Sequence, residues 1–177
     1  LTTLMIGVFF KNSYNLVTKI IYGILFTLIL IILNSFNESF KLFSDSFISN
    51  SFTNFFKILI LIGTFFVLII TQNYIKDKKI NNFEYPLILL LSVLGMFIMI
   101  SANDLILFYL GLELQSLALY ILASIDRDDL KSNESGLKYF ILSALASGLL
   151  LYGCSLLYGF SGSTNFEVIG QKANAEN

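Results

Sequence analysis

Five stretches of this chain are long and apolar enough that water cannot be their main solvent. They run from about Val17 to Leu33, Phe52 to Ile70, Tyr85 to Ser101, Asn103 to Ile125 and Asn133 to Phe160. A helix needs about 20 mostly apolar residues to cross the hydrocarbon core of a bilayer. Each stretch meets that length, so the chain is expected to be an all-α membrane protein of about five transmembrane helices in one bundle, a single domain over residues 1–177. Leu4 to Phe10 is apolar but too short to cross. Composition agrees. Of the 177 residues 56 % are hydrophobic and only 13 % charged, against about 25 % charged in soluble domains. Such a chain has more apolar surface than one 177-residue core can hide.

The same inventory excludes several functions. Eleven basic against 12 acidic residues leave no clustered positive excess for nucleic acid. One Cys and no His supply no disulfide and no zinc, haem or iron–sulfur ligand set. No GxGxxG or P-loop occurs. The chain is therefore expected to hold no cofactor and no metal of its own. Its richness in Phe, Ile and Asn, with one Pro and no Trp, suits an AT-rich coding sequence such as that of an organelle. No Arg- and Ser-rich transit segment opens it. A start at Leu1 means either missing residues or an unusual initiation.

The third and fourth spans abut at Ser101-Ala102-Asn103-Asp104. Two crossings in about forty residues require a tight reversal there, because one continuous helix would exceed the bilayer. Asn and Asp favour turns and helix N-caps, and an acid suits the positive end of a helix. Pro86 opens the third span in its first turn, where its missing N–H costs nothing. Lys19 and Lys57 lie near span ends, where long side chains can snorkel outward. Between the first two spans, Phe36, Phe40, Phe43 and Phe47 recur at spacings of four, three and four. Residues 36–49 are thus expected to form an amphipathic segment, lying in the membrane interface or docked on protein.

Positive charge near span ends sets orientation. The side holding the N-terminus, side A, receives Lys11, Lys76, Lys78, Lys79, Arg127 and Lys131. The opposite side B receives only Lys41 and Lys172. Side A is therefore the matrix or cytoplasmic side.

Glu113 stands near the middle of the fourth span. A carboxylate at the bilayer centre costs roughly 2.5–3.5 kcal/mol on insertion scales. Groups of that kind face a bundle interior, pair with a cation or relay ions; a structural ion pair between helices is the alternative. Glu134 and Lys138 open the fifth span four residues apart, acid first, the favourable order for an i,i+4 pair. That pair is either an ordinary surface pair or the edge of a polar channel. Helix five is also rich in small residues, among them Ala144 and Gly148 in a small-xxx-small spacing that permits close helix contact. Cys154 reads as a small buried filler. Tyr120, Gln115 and Ser116 flank Glu113 and are candidates to extend a hydrogen-bond chain.

In order and spacing, Ser101-Ala-Asn-Asp-Leu-Ile-Leu-Phe-Tyr-Leu-Gly-Leu-Glu113-Leu-Gln-Ser-Leu, then Glu134-Ser-Gly-Leu-Lys138, Ser147-Gly-Leu-Leu-Leu-Tyr-Gly153 and Leu157-Tyr-Gly-Phe-Ser-Gly162 resemble the antiporter-like membrane subunits of respiratory complex I, in particular NADH dehydrogenase subunit 2. The resemblance covers residues 101–162. It implies a proton-translocating membrane-arm subunit of NADH:ubiquinone oxidoreductase, with Glu113 in the proton-transfer unit and Glu134 and Lys138 beside it. It further implies redox centres on other subunits, the other membrane-arm subunits and membrane lipids as partners, and the mitochondrial inner membrane with the N-terminus in the matrix. A structural scaffold role, or a related cation/proton antiporter or membrane-bound hydrogenase, is the alternative. The family's acid stands on helix five but here on helix four, so one N-terminal span is expected to be missing. The family's later helices, with their central lysines, do not follow before Asn177. A separate chain carrying them is the expectation; a piece of a longer chain is the alternative.

Overall fold

In a computed structural model the described residues are 3, 13–77 and 83–175; Leu4–Phe10, Lys11, Lys78, Lys79 and Asn177 lie outside them. Among the described residues these elements follow in order: α1 (Ser13–Asn34), β1 (Phe40–Leu42), β2 (Phe47–Ser49), α2 (Ser51–Asp77), α3 (Glu84–Ser101), α4 (Leu105–Ala123), α5 (Leu130–Ser161) and α6 (Phe166–Ala175). Helices α1 to α5 are long and apolar enough to cross a membrane. The 18 residues of α3 rise about 27 Å, close to the roughly 30 Å hydrocarbon core. The 32 residues of α5 rise about 48 Å, so α5 tilts or projects.

Neighbours in sequence pack as neighbours in space, as short connections demand. The core lies between α1, α2 and α3. Val17, Ile21 and Leu25 recur every four residues on α1 and meet Leu61 and Leu68 of α2 and Leu89 and Val93 of α3. The inward stripe of α2 reads Asn54, Lys57, Leu61, Thr64 and Leu68, all buried, at the alternating three and four of a helix face. Helix α5 is at the other extreme. None of its membrane window is buried, and Leu142, Leu145, Leu149 and Tyr152 stand exposed.

The closest approach is between α3 and α4. A Cβ at Gly95 would lie 2.5 Å from the Gln115 amide nitrogen and 2.9 Å from the Gly111 carbonyl oxygen. One at Gly111 would lie 2.7 Å from the Met99 nitrogen. Only glycine lets these backbones touch. Gly148, in contrast, has nothing within 4 Å of an added Cβ, so no described helix seats against the Ala144–Gly148 spacing.

The reversal between α3 and α4 forms where the sequence requires it. Asp104 caps α4 by accepting from the Ile106 amide at 2.8 Å. On side B three connections knit together there. The Asn103 amide donates to Ser46 at 2.8 Å and its side chain to Asp45 at 3.0 Å. Thr164 donates to the Asp104 carboxylate at 2.5 Å, and the Phe166 amide donates to Asn103 at 3.1 Å.

Residues 36–49 are not an amphipathic helix. The four-three-four spacing of phenylalanines falls instead on a two-stranded antiparallel hairpin with Lys41 opposite Ile48. Its turn places Phe43, Ser44 and Asp45 at φ of 55°, 55° and 67°, a left-handed region costing roughly 1–2 kcal/mol per non-glycine residue. The compensation is tertiary. Asn103 satisfies the turn carbonyls, and Lys41 pairs with Asp45 at 3.8 Å and with Glu167 of α6 at 3.3 Å. Helical periodicity within the segment carries no information about those distant partners.

Candidate functional site: an intramembrane acid on helix four

Glu113 is the ninth residue of α4, about 12 Å along the axis from Leu105 and so at mid-depth. It is half-buried, and its Oε1 is buried without a hydrogen-bond partner among the described residues. The helical period fixes its neighbours. Gly111 and Gln115 share the face pressed on α3. At about 100° per residue, Glu113 points away from that face. Tyr120, seven residues on, shares the face of Glu113 and meets α5, its ring edge-on to Tyr139 at 4.9 Å and Phe140 at 5.6 Å. Glu113 therefore lies on the α5 side of α4, two turns toward side B from this aromatic contact.

The register of α4 against α5 decides what stands opposite the acid. Tyr120 lies against Tyr139 and Phe140, and Ser124 against Gly136. Continuing that antiparallel register brings Glu113 level with Ala146 and Ser147. Ser147 is half-buried there, whereas Ala146 and Gly148 on either side of it are exposed. Ser147 donates to Ala144 at 3.2 Å and Ser116 to Leu112 at 2.8 Å. Of the three candidates flanking the acid, the Ser116 hydroxyl is thus committed to its own helix, Gln115 has its backbone on α3, and Tyr120 lies in the aromatic contact.

Glu134 and Lys138 form the ion pair that their spacing suggests, at 2.5 Å, with both side chains about two-thirds exposed. They are not brought onto Glu113. No ion pair joins Glu113 to any cation among the described residues. Nine residues separate Lys138 from the level of Glu113 on α5, about 13 Å along the axis. Arg127 and Glu84 tie the α4–α5 loop to the start of α3 at 3.4 Å. No group of three His, Cys, Asp or Glu is placed to hold a metal among the described residues. Cys154 is half-buried and lines a cavity of about 200 Å³ between α4 and α5.

One charged side chain contradicts its expected placement. Lys57 does not snorkel outward. Only 8 % of it is exposed, and its ammonium lies 5.4 Å from the centroid of the Phe47 ring. The stripe of three and four on α2 already marks position 57 as inward-facing, which its depth along the span does not reveal.

Residues 102–177 match a family model described as the NADH:quinone oxidoreductase/Mrp antiporter transmembrane family. Subunit N of NADH-quinone oxidoreductase from Pelagibacter ubique is 57 % identical over 173 residues, 97 % of this chain and 37 % of that protein. The Rhodospirillum rubrum subunit N is 49 % identical over 179 residues, 99 % of this chain and 37 % of that protein. A chain in the structure of respiratory complex I from Thermus thermophilus, solved with bound aureothin, superposes with a TM-score of 0.76 at 27 % identity, covering 93 % of this chain and 35 % of that one. The chain thus spans a little over a third of the length of the curated relatives it matches, and these relatives are bacterial. With five helices apolar enough to span and this likeness along nearly its whole length, the chain is an all-α, multi-pass membrane protein with the fold of the complex I chain on which it superposes, and its residues 102–177 are similar to the antiporter-like NADH:quinone oxidoreductase/Mrp family.

Proposed function

We propose that this chain serves proton translocation in the membrane arm of an NADH:quinone oxidoreductase, with Glu113 as the acid that takes up and releases the proton. The observation that carries the reading is a mid-depth carboxylate with one oxygen buried and unpartnered among the described residues. An acid left without a partner in a low-dielectric site is costly in its charged form. It is relieved by a proton, by water or by a cation brought near. A site whose stability depends on which of these is present couples protonation to movement of its surroundings.

The chain's own residues suggest the order of events. Glu134 and Lys138, on the side-A half of α5, hold a charge pair near the surface. Proton exchange between that pair and Glu113 must bridge about 13 Å along the axis, too far for direct transfer, so a chain of waters would carry it. The exposed apolar face of α5 fits helices from the two-thirds of the relatives' length that these residues do not span, and a cation there would complete the site. Redox chemistry would reside on other subunits. Their names place the relatives in an oxidoreductase, and its membrane arm supplies the expected protein partners. Bacterial relatives favour a bacterial energy-coupling membrane over the mitochondrial inner membrane that composition suggests.

The test is Glu113→Gln in the assembled complex reconstituted in sealed vesicles. Electron transfer to an artificial acceptor that bypasses the membrane arm should persist, whereas acidification coupled to quinone reduction should fall about 10²-fold or more, the usual scale for losing a proton-transfer group. Normal coupled acidification removes Glu113 from the path. Loss of the assembled complex would instead assign Glu113 to helix docking.

A further inference from the structure

Lys57 is a second anomaly, distant from Glu113 and unused by the mechanism above. Its position in the second turn of α2 places it about 9 Å from the side-B end of that helix, near the level where lipid headgroups meet acyl chains. It is nine-tenths buried, and no carboxylate pairs with it among the described residues. The other described cations of side B are engaged. Lys41 holds Asp45 and Glu167, and Lys172 donates to the Ser161 carbonyl. The ring of Phe47 covers one side of the Lys57 ammonium. Ring contact attracts the cation but supplies no counter-charge.

Lys57 lines an open groove of about 440 Å³ beneath the hairpin, together with Leu28, Ile32, Phe47, Leu94 and Phe97. Leu94 is half exposed, so the groove opens toward the lipid-facing surface. Its chemistry is one-sided: one basic group at the headgroup end and hydrocarbon along the rest. A soluble anion would satisfy the charge but leave the apolar walls empty. A carboxylate on a neighbouring membrane helix would meet the charge, but a helix about 10–12 Å across is too wide to enter a groove of this volume. An amphiphile with one negative headgroup and a fatty chain satisfies both ends.

We propose that this groove binds an acidic phospholipid, with its phosphate paired to Lys57 and one acyl chain along α1 and α3. The hairpin then acts as the roof that holds Phe47 over the ammonium.

The test uses the assembled complex, stripped with mild detergent and returned to nanodiscs of dioleoyl phosphatidylglycerol or of dioleoyl phosphatidylcholine, with bound lipid counted by native mass spectrometry. The wild type should retain phosphatidylglycerol in preference to phosphatidylcholine. Lys57→Gln should retain it roughly fivefold less, the factor one basic residue adds to attraction for anionic lipid, and Lys57→Arg should retain it like the wild type. Equal retention by Lys57→Gln, or equal retention of the two lipids by the wild type, overturns the proposal. If Lys57→Gln does not assemble, a photoactivatable phosphatidylglycerol on the wild-type complex decides. It should cross-link to residues 94–98 and be displaced by unlabelled phosphatidylglycerol alone. Absence of that cross-link, or its displacement by phosphatidylcholine or inorganic phosphate, overturns the proposal.

Discussion

Replacing Gly95 with Ala measures the contact that sets α4, and therefore Glu113, in place. The added Cβ would sit 2.5 Å from the Gln115 nitrogen, whereas ordinary contact begins at 3.4 Å. The obstructing atoms are backbone, so no side chain can swing aside, and the helices must part by about 0.9 Å at that point. Overpacking of this kind typically costs about 1–3 kcal/mol. Alanine also gains about 1 kcal/mol over glycine in helix propensity, which hides part of the loss. Gly63→Ala on α2 supplies the control, because an added Cβ there meets nothing within 4 Å. Both variants share the propensity gain, so their difference isolates the clash. In SDS titrations of the full chain in mild detergent, followed by circular dichroism, Gly63→Ala should match or exceed the wild type. Gly95→Ala should fall below Gly63→Ala by about 1–3 kcal/mol. Equal midpoints for the two variants would refute the close crossing and the placement of α4 derived from it.

Asp104 both caps α4 and accepts from Thr164, so Asp104→Ala should destabilise the chain by about 2 kcal/mol in the same titration, one part from the cap and one from the tie to the α5–α6 turn; Thr164→Val should then add little. The Glu134–Lys138 pair is exposed, and such pairs contribute about 0.3–0.5 kcal/mol. Glu134→Gln should therefore leave the midpoint nearly unchanged yet slow coupled acidification in vesicles, and an unchanged rate would take the pair out of the path. With single cysteines in a Cys154→Ala background, one at Asp128 should react with a membrane-impermeant maleimide from side A and one at Ser44 only from side B; reactivity of both from one side would refute the topology.

Five membrane-spanning helices were legible because the signal is local: a run of apolar residues long enough for the bilayer needs no knowledge of its partners. The α3–α4 reversal was legible for a related reason, since thickness forbids a continuous helix and Asp104 is a capping residue. Non-local features were harder to read. The hairpin at Phe40–Ser49 exists because Asn103 of a distant turn satisfies its carbonyls, and the phenylalanine spacing there is compatible with a helix. Helix α6 is short and rather polar, so no span length announces it. Gly95 and Gly111 each lie eight residues from Asn103, and an antiparallel pair folded about that turn brings them face to face. That symmetry could have identified the crossing in place of the Ala144–Gly148 spacing. For the site, Glu113 was conspicuous as a charge in an apolar run, and the Glu134–Lys138 pair followed from i,i+4 spacing. Their separation was not legible, because it depends on the α4–α5 register fixed by Tyr120, Tyr139 and Gly136.

The most direct test is infrared difference spectroscopy of the reconstituted complex, comparing resting and NADH-driven states. If Glu113 gains and loses a proton during turnover, a carboxylic C=O band should change in the wild type and be absent in Glu113→Gln. The same band appearing unaltered in Glu113→Gln, or no carboxyl change in the wild type during active pumping, would contradict a switching role for this acid.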